Sequence, residues 1–227
     1  MSQLALPLRL ADYAVFETFL AAGNEAVVDY LQSLPGAAGG QGAWIWGAPA
    51  TGKSHLLQAA CERFADRAAY LPLADVADAG PGLLEGLESR QLVCIDDIDS
   101  VAGDDTWERG LFALCNAQVE AGQHLVVSAA AAPRASGIAL ADLLSRLQRL
   151  ATFHLKTLDE DARMAALQLR AGHRGLELPE DTARFLMARS RRDMQSLYEL
   201  LDRLDLEALR AQRRLTIPFV RDVLQGS

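Results

Sequence analysis

Short apolar runs alternate with helical patterns over the first two thirds of the chain. Short, mostly apolar runs of strand length occur at 43–46, 69–71, 92–95, 125–128 and 152–155, and the run at 92–95 is unbroken. Apolar residues at three- and four-residue spacing predict helices in the intervening segments, namely one from about Asn24 and others over 52–64, 105–121 and 140–150. This alternation predicts an α/β fold, in which helices sandwich a parallel sheet.

After Leu158 the pattern is purely helical. Acidic residues at 159–161 and a proline at 179 each mark a helix start, leucines recur at helical spacing over 194–209, and Pro218 opens a last short helix. The sequence therefore predicts three parts, a flexible tail over 1–12, a sheet domain over 13–158 and a small helical domain over 159–227.

Composition and charge exclude several classes of protein. The 227 residues are 50% hydrophobic with a net charge of −8, which is incompatible with global disorder. Residues 159–227 carry 12 basic and 12 acidic side chains, which leaves 10 basic and 18 acidic ones in the first 158, so neither part is a basic nucleic-acid surface. We expect no strong direct DNA binding. The chain has no membrane-length apolar run and starts without an export signal, so a cytoplasmic location is expected.

A phosphate-binding loop follows the first strand. The eight residues match the P-loop pattern G-x-x-x-x-G-K-[ST] at every fixed position, and they are Gly47, Ala48, Pro49, Ala50, Thr51, Gly52, Lys53 and Ser54. Glycines let the backbone amides point inward, Lys53 reaches the outer phosphates, and the Ser54 hydroxyl is a ligand for Mg²⁺. The loop lies between a predicted strand and a predicted helix, which is the context the motif requires. It predicts binding of ATP or ADP.

Two carboxylates follow the apolar strand at 92–95. Asp96 can hold Mg²⁺ through water, and Asp97 can orient an attacking water molecule. For these two residues alone, a solvated acidic turn is the alternative. Together with the P-loop they favour a nucleotide-binding domain.

Several motifs resemble the AAA+ part of the bacterial replication initiator DnaA. They are the Phe16/Phe19/Gly23-Asn24 pattern, the P-loop with its continuation His55-Leu56-Leu57, the segment Ile95-Asp96-Asp97-Ile98 and the Phe112/Asn116 pair. The chain is expected to stop after its helical lid, with no DNA-binding domain, and it starts with the tail sequence Gln3-Leu4-Ala5-Leu6-Pro7-Leu8. This combination resembles the Hda family, DnaA-related AAA+ proteins that inactivate the initiator.

The resemblance implies partners and further site residues. The family's tail hexapeptide docks on the DNA polymerase sliding clamp (its beta subunit), and the matching clamp-binding residues are Gln3, Leu4, Leu6, Pro7 and Leu8. Arg146 matches the family's arginine finger, which acts on the nucleotide of a neighbouring subunit, and Arg149 is the rival. Further positions assigned to the cofactor are Phe16, Asn24, His55, Ser128, Arg192 and Gln195. A homo-oligomer is also compatible with the resemblance.

Two departures from the family pattern suggest weak hydrolysis. Ala129-Ala130 stands where DnaA-like chains have an aspartate, and Gln195 stands where the lid normally offers an arginine, for which Arg192 is a candidate substitute. The expected function is negative regulation of replication initiation, in which the chain holds ADP and stimulates ATP hydrolysis on DnaA. The alternative is an autonomous P-loop ATPase such as a helicase loader, so whether the chain acts as an enzyme stays open at this point.

Overall fold

The computed structural model describes residues 14–37, 39–189 and 194–225. They divide into two compact units. The first consists of 14–16 and Gly23–Lys156, and the second of Glu17–Ala22 and 157–225. Residues 17–22 belong with the helical unit, which no local pattern in the sequence indicated.

A five-stranded parallel sheet forms the first unit. The strands are β1 (Gly42–Trp46), β2 (Ala68–Pro72), β3 (Leu92–Asp96), β4 (His124–Ala129) and β5 (Ala151–His154). Their order in the sheet is β2-β3-β4-β1-β5, and every pairing is parallel. All five residues of β3 are buried, as the unbroken apolar run predicts for a strand covered on both faces.

Helices connect the strands and cover the sheet. They are α1 (Glu25–Ser33), α2 (Lys53–Phe64), the short α3 (Leu73–Val76), α4 (Asp105–Glu120) and α5 (Ala141–Leu147). The Asp104 side chain begins α4 by accepting hydrogen bonds from the amides of Thr106 and Trp107, at 2.9 and 3.1 Å. The α/β fold predicted from the sequence is confirmed. The short α3 was not anticipated, and α5 ends three residues earlier than predicted.

The described part of the second unit contains four α-helices and has its own apolar core. They are α6 (Glu160–His173), α7 (Glu180–Met187), α8 (Met194–Ala211) and α9 (Ile217–Gln225). Arg170 on α6 is buried, donates to the Asp202 carboxylate on α8 at 3.0 Å and lies over the Tyr198 ring. These contacts tie α6 to α8, so the helical lid predicted from the sequence is confirmed.

All three cysteines of the chain lie in the sheet unit. Cys61, Cys94 and Cys115 are buried free thiols. None of the helices in the described part of the chain is both long enough and apolar enough to cross a membrane.

Candidate functional site

The P-loop connects the carboxyl end of β1 to the first turn of α2. Ala50 and Gly52 adopt φ angles of 60° and 96°, which reverse the chain before the Leu56 amide makes the first helical bond to the Gly52 carbonyl at 3.0 Å. A Cβ atom on Gly47 would lie 2.8 Å from the Leu155 carbonyl oxygen, so a side chain there does not fit without displacement of backbone. The glycines of the motif are therefore required by the geometry of the loop.

The Lys53 ammonium is held by carbonyl groups of the P-loop, the segment expected to bind phosphate. Its ammonium donates to the carbonyl oxygens of Gly47 and Ala48, at 3.1 and 3.2 Å, and only 8% of the residue is exposed. The Thr51 hydroxyl donates to the Ala48 carbonyl at 2.9 Å and closes the same turn. These contacts position the cation inside the loop, where it can exchange a carbonyl for a phosphate oxygen.

Asp96 is the last residue of β3, which packs against α2, the helix that follows the P-loop. One carboxylate oxygen accepts a hydrogen bond from the Ser128 hydroxyl on β4, and the other accepts one from the Tyr70 hydroxyl on β2 at 2.6 Å. The residue is 2% exposed. Three neighbouring parallel strands thus converge on one carboxylate, because their carboxyl ends share one edge of the sheet.

Asp97 follows the last residue of β3 and adopts a left-handed backbone conformation, with a φ of 51°. Its amide donates to the Ser128 hydroxyl at 2.9 Å, so Ser128 accepts from one aspartate and donates to the other. Burial raises the pKa of Asp97 and the nearby Asp96 charge adds to the effect, whereas Lys53 opposes it. The hydroxyl of Ser54 and the carboxylates of Asp96 and Asp97 are oxygen donors of the kind that Mg²⁺ prefers, so the donor set fits that metal.

The departure from the family pattern after Ser128 is also visible. Ala129 is fully buried at the end of β4. Ala130 is exposed, and its amide donates to the Asp99 carboxylate at 3.2 Å. Neither alanine offers a polar side-chain atom, so this position contributes no group that could orient water.

Three other predicted cofactor positions make contacts within the sheet unit. The Nε2 atom of His55 lies 2.8 Å from the Val15 carbonyl oxygen. Phe16 is buried, and the buried Asn24 holds both the amide and the carbonyl of Lys156, at 2.8 and 3.2 Å. The structure thus places His55 and Asn24 in contacts with backbone groups of the same unit and buries Phe16, and the assignment of all three to the cofactor remains a prediction.

Arg146 lies at the opposite edge of the sheet from the P-loop. With Arg149 it lines a cavity of about 430 Å³, whose wall also includes Gly42 at the start of β1 and Ala151 at the start of β5. The P-loop follows the end of β1, roughly 16 Å away along a strand of five residues. Burial raises the pKa of the Cys115 thiol in this cavity to about 12, and the Arg146 charge acts in the opposite direction. The Arg146 side chain is half-buried and Arg149 is exposed.

Comparison with known proteins agrees with this architecture. Residues 159–224 match the sequence model of a family described as "Hda, lid domain". Domain III of the Thermotoga maritima replication initiation protein DnaA superposes with a TM-score of 0.73 at 20% identity, covering 96% of this chain and 98% of that one. Residues 159–224 thus resemble the Hda lid, and the chain shares the fold of DnaA domain III.

Two further solved structures show how widely the fold recurs. AMPPCP-bound DnaA from Aquifex aeolicus has a TM-score of 0.70 at 20% identity, over 87% of this chain and 67% of that one. The RuvB Holliday junction branch migration motor of Thermotoga maritima has a TM-score of 0.58 at 16% identity, over 90% and 70% of the two chains. At these identities the likeness establishes the fold alone.

Some predicted site positions of this chain lie outside the described residues. The clamp-binding positions Gln3, Leu4, Leu6, Pro7 and Leu8 belong to the undescribed segment 1–13, and Arg192 belongs to the undescribed segment 190–193. Gln195 falls in the first turn of α8, where only its backbone is described. All of these assignments stay predictions.

Two residues with structural roles at the site were missed by sequence reasoning. Tyr70 donates to Asp96 from a strand that shows no motif of its own. Glu108 is buried on α4 and accepts hydrogen bonds from the amides of Gly103, Ala139 and Leu140. The available signal for Glu108 was its position at helical spacing with the apolar residues Leu111 and Cys115, whereas Tyr70 resembles any core aromatic.

Proposed function

We propose that this chain is a negative regulator of chromosomal replication initiation that binds adenine nucleotide, specifically ADP, and stimulates ATP hydrolysis on DnaA through Arg146. In the same proposal, residues 3–8 bind the DNA polymerase sliding clamp and thereby bring the chain to replicated DNA. The chain acts as an activating partner, and its own catalytic turnover is secondary.

The separation of Arg146 from the P-loop of its own unit is the observation that carries this proposal. A guanidinium beside the amino ends of β1 and β5 does not reach phosphates bound at the carboxyl end of β1. It can, however, be offered to a nucleotide held by a neighbouring molecule. The match of residues 159–224 to the Hda lid supports DnaA as that neighbour.

Nucleotide binding is supported by the arrangement of the loop and its neighbours. The positive φ angles, the enclosed Lys53 ammonium and the Asp96 carboxylate support a phosphate site with oxygen donors of the kind that Mg²⁺ prefers. The AMPPCP-bound DnaA structure supports the same assignment by its likeness in fold. When Mg²⁺ is bound, it screens phosphate charge, while Lys53 and Ser54 orient the nucleotide.

The decisive test is hydrolysis of DnaA-bound ATP in the presence of DNA-loaded clamp. Arg146→Ala is expected to leave ADP and clamp binding within about twofold of the native chain and to reduce stimulation by about a thousandfold, the scale of other arginine fingers. Arg149→Ala is the matched control, because it removes a guanidinium from the same cavity. Equal stimulation by the Arg146→Ala and native chains refutes the finger assignment, and loss with Arg149→Ala alone transfers the role to Arg149.

An autonomous P-loop ATPase is the second candidate. The complete P-loop and the Asp96-Asp97 pair favour it, whereas the alanines at 129 and 130 favour weak hydrolysis. Phosphate release by the chain without partners separates the two functions. We expect turnover well below about 1 per second, and a higher rate supports the ATPase.

A further inference from the structure

The Tyr70 hydroxyl is hydrogen-bonded to Asp96, one of the residues expected to face the metal. It donates to the Asp96 carboxylate at 2.6 Å. The Gln58 amide nitrogen donates to it at 3.3 Å. Pairing of β2 with β3 places Tyr70 two residues before Pro72, the register partner of Asp96. The phenol therefore connects the P-loop helix to the end of β3.

Asp96 consequently has a protein donor on each carboxylate oxygen. The Ser128 hydroxyl supplies one donor and the Tyr70 hydroxyl the other, and the carboxylate is 2% exposed. A buried carboxylate is costly unless such donors are present. In a site that relies on Mg²⁺, the water molecules bound to the metal provide part of this stabilisation. Here side chains provide it.

We propose that Tyr70 is a positioning residue that makes nucleoside diphosphate binding at the P-loop nearly independent of Mg²⁺. Its hydroxyl donates a hydrogen bond to Asp96 and so offsets part of the carboxylate charge. The diphosphate therefore meets less electrostatic repulsion when no metal is present. This inference rests on the nucleotide site of the proposed function and specifies how that site responds to metal.

The test compares dissociation constants for fluorescent mant-ADP in buffers containing Mg²⁺ or EDTA. For the native chain we expect the two constants to agree within about threefold. Tyr70→Phe removes only the hydroxyl, so affinity in EDTA should fall about tenfold or more, the scale of one hydrogen bond to a charged group. With Mg²⁺ the variant should bind nearly as well as the native chain, because the metal and its water molecules supply the missing contact.

Tyr30→Phe is the matched control. It removes a hydroxyl that donates to the Gly42 carbonyl at 2.9 Å, at the opposite end of β1 from the P-loop. For Tyr30→Phe, the ratio of the mant-ADP dissociation constants in EDTA and in Mg²⁺ should equal that of the native chain. Lys53→Ala should weaken binding in both buffers and so verifies that the probe occupies the P-loop.

Each outcome of the comparison decides the inference. If the dissociation constant of the native chain in EDTA exceeds that in Mg²⁺ by more than about tenfold, the inference is overturned, whether or not Tyr70→Phe folds. If Tyr70→Phe has the same ratio of the two constants as the native chain, the inference is also overturned, while the proposed nucleotide site stands. Absence of mant-ADP binding by the native chain in both buffers overturns the nucleotide site itself, and with it this inference.

Discussion

At the scale of single residues, several polar side chains of the candidate site have hydrogen-bond partners within the protein. Lys53 is bonded to loop carbonyls, Asp96 is bonded to two hydroxyls, and Ser128 connects the two aspartates. Asp97 differs from them, because burial and the neighbouring negative charges disfavour its ionised form. Its raised pKa therefore identifies a carboxylate whose ionisation destabilises the folded chain.

Substitution of Asp97 by asparagine should stabilise the nucleotide-free chain at neutral pH. The folded protein binds the Asp97 proton more tightly than the unfolded chain, so ionisation of Asp97 lowers stability above its folded pKa. This penalty disappears as the pH falls through the raised pKa towards the ordinary value of 3.8. Asparagine removes the charge and tolerates the left-handed conformation at φ 51°. Because the side chain is half-exposed, we expect a gain below about 1 kcal/mol.

Thermal unfolding at pH 7.5 and pH 4 measures this effect. Asp97→Asn should raise the melting temperature at pH 7.5, and the gain should shrink at pH 4. Asp78→Asn is the control, since Asp78 is an exposed aspartate of the same unit. A stability gain for Asp97→Asn that is the same at both pH values contradicts the assigned electrostatic cause.

At the scale of elements, α5 depends on a carboxylate from another helix. Leu140 precedes α5 and offers no capping side chain. The buried Glu108 on α4 supplies the acceptor, with bonds from the Ala139 amide at 2.9 Å and from the Gly103 amide at 2.7 Å. Glu108 thereby joins the loop that follows the Asp96 strand to the helix that carries Arg146.

Removal of the Glu108 carboxylate should destabilise the chain and disturb the Arg146 helix. Glu108→Ala leaves buried amides without an acceptor, so we expect a loss of about 1–3 kcal/mol in the free energy of unfolding. Glu120→Ala, an exposed position on the same helix, should change it by less than about 0.5 kcal/mol. Urea denaturation measures both. Equal stabilities for the two variants would show that Glu108 does not anchor α5.

At the scale of the whole molecule, the proposed function divides among separate parts of the chain. The P-loop and Arg146 occupy opposite edges of one sheet, the lid core is formed by α6 to α9, and the predicted clamp-binding residues precede both units. The proposed role of the P-loop, of Arg146 or of the tail can therefore be tested by a substitution or deletion confined to that part.

Deletion of residues 1–8 should abolish clamp binding and leave the rest of the chain functional. Gln3, Leu6 and Leu8 are the side chains expected to enter the clamp, and an extended segment of this kind binds through a few anchors. Pull-down with DNA-loaded clamp measures the loss, while melting temperature and mant-ADP binding should remain as in the native chain. Clamp binding that survives the deletion discards the assignment of the tail.

The sequence by itself determined the sheet, the P-loop and the lid. Apolar runs such as 92–95 specify strands through local chemistry, and the spacing of Gly47, Gly52 and Lys53 is a property of the backbone. Only the tertiary structure decided that Tyr70 contacts Asp96, that Glu108 caps α5 and that Arg146 lies across the sheet from its own P-loop. Those contacts join residues distant in sequence, and their geometry depends on strand order and helix packing, which no local pattern specifies.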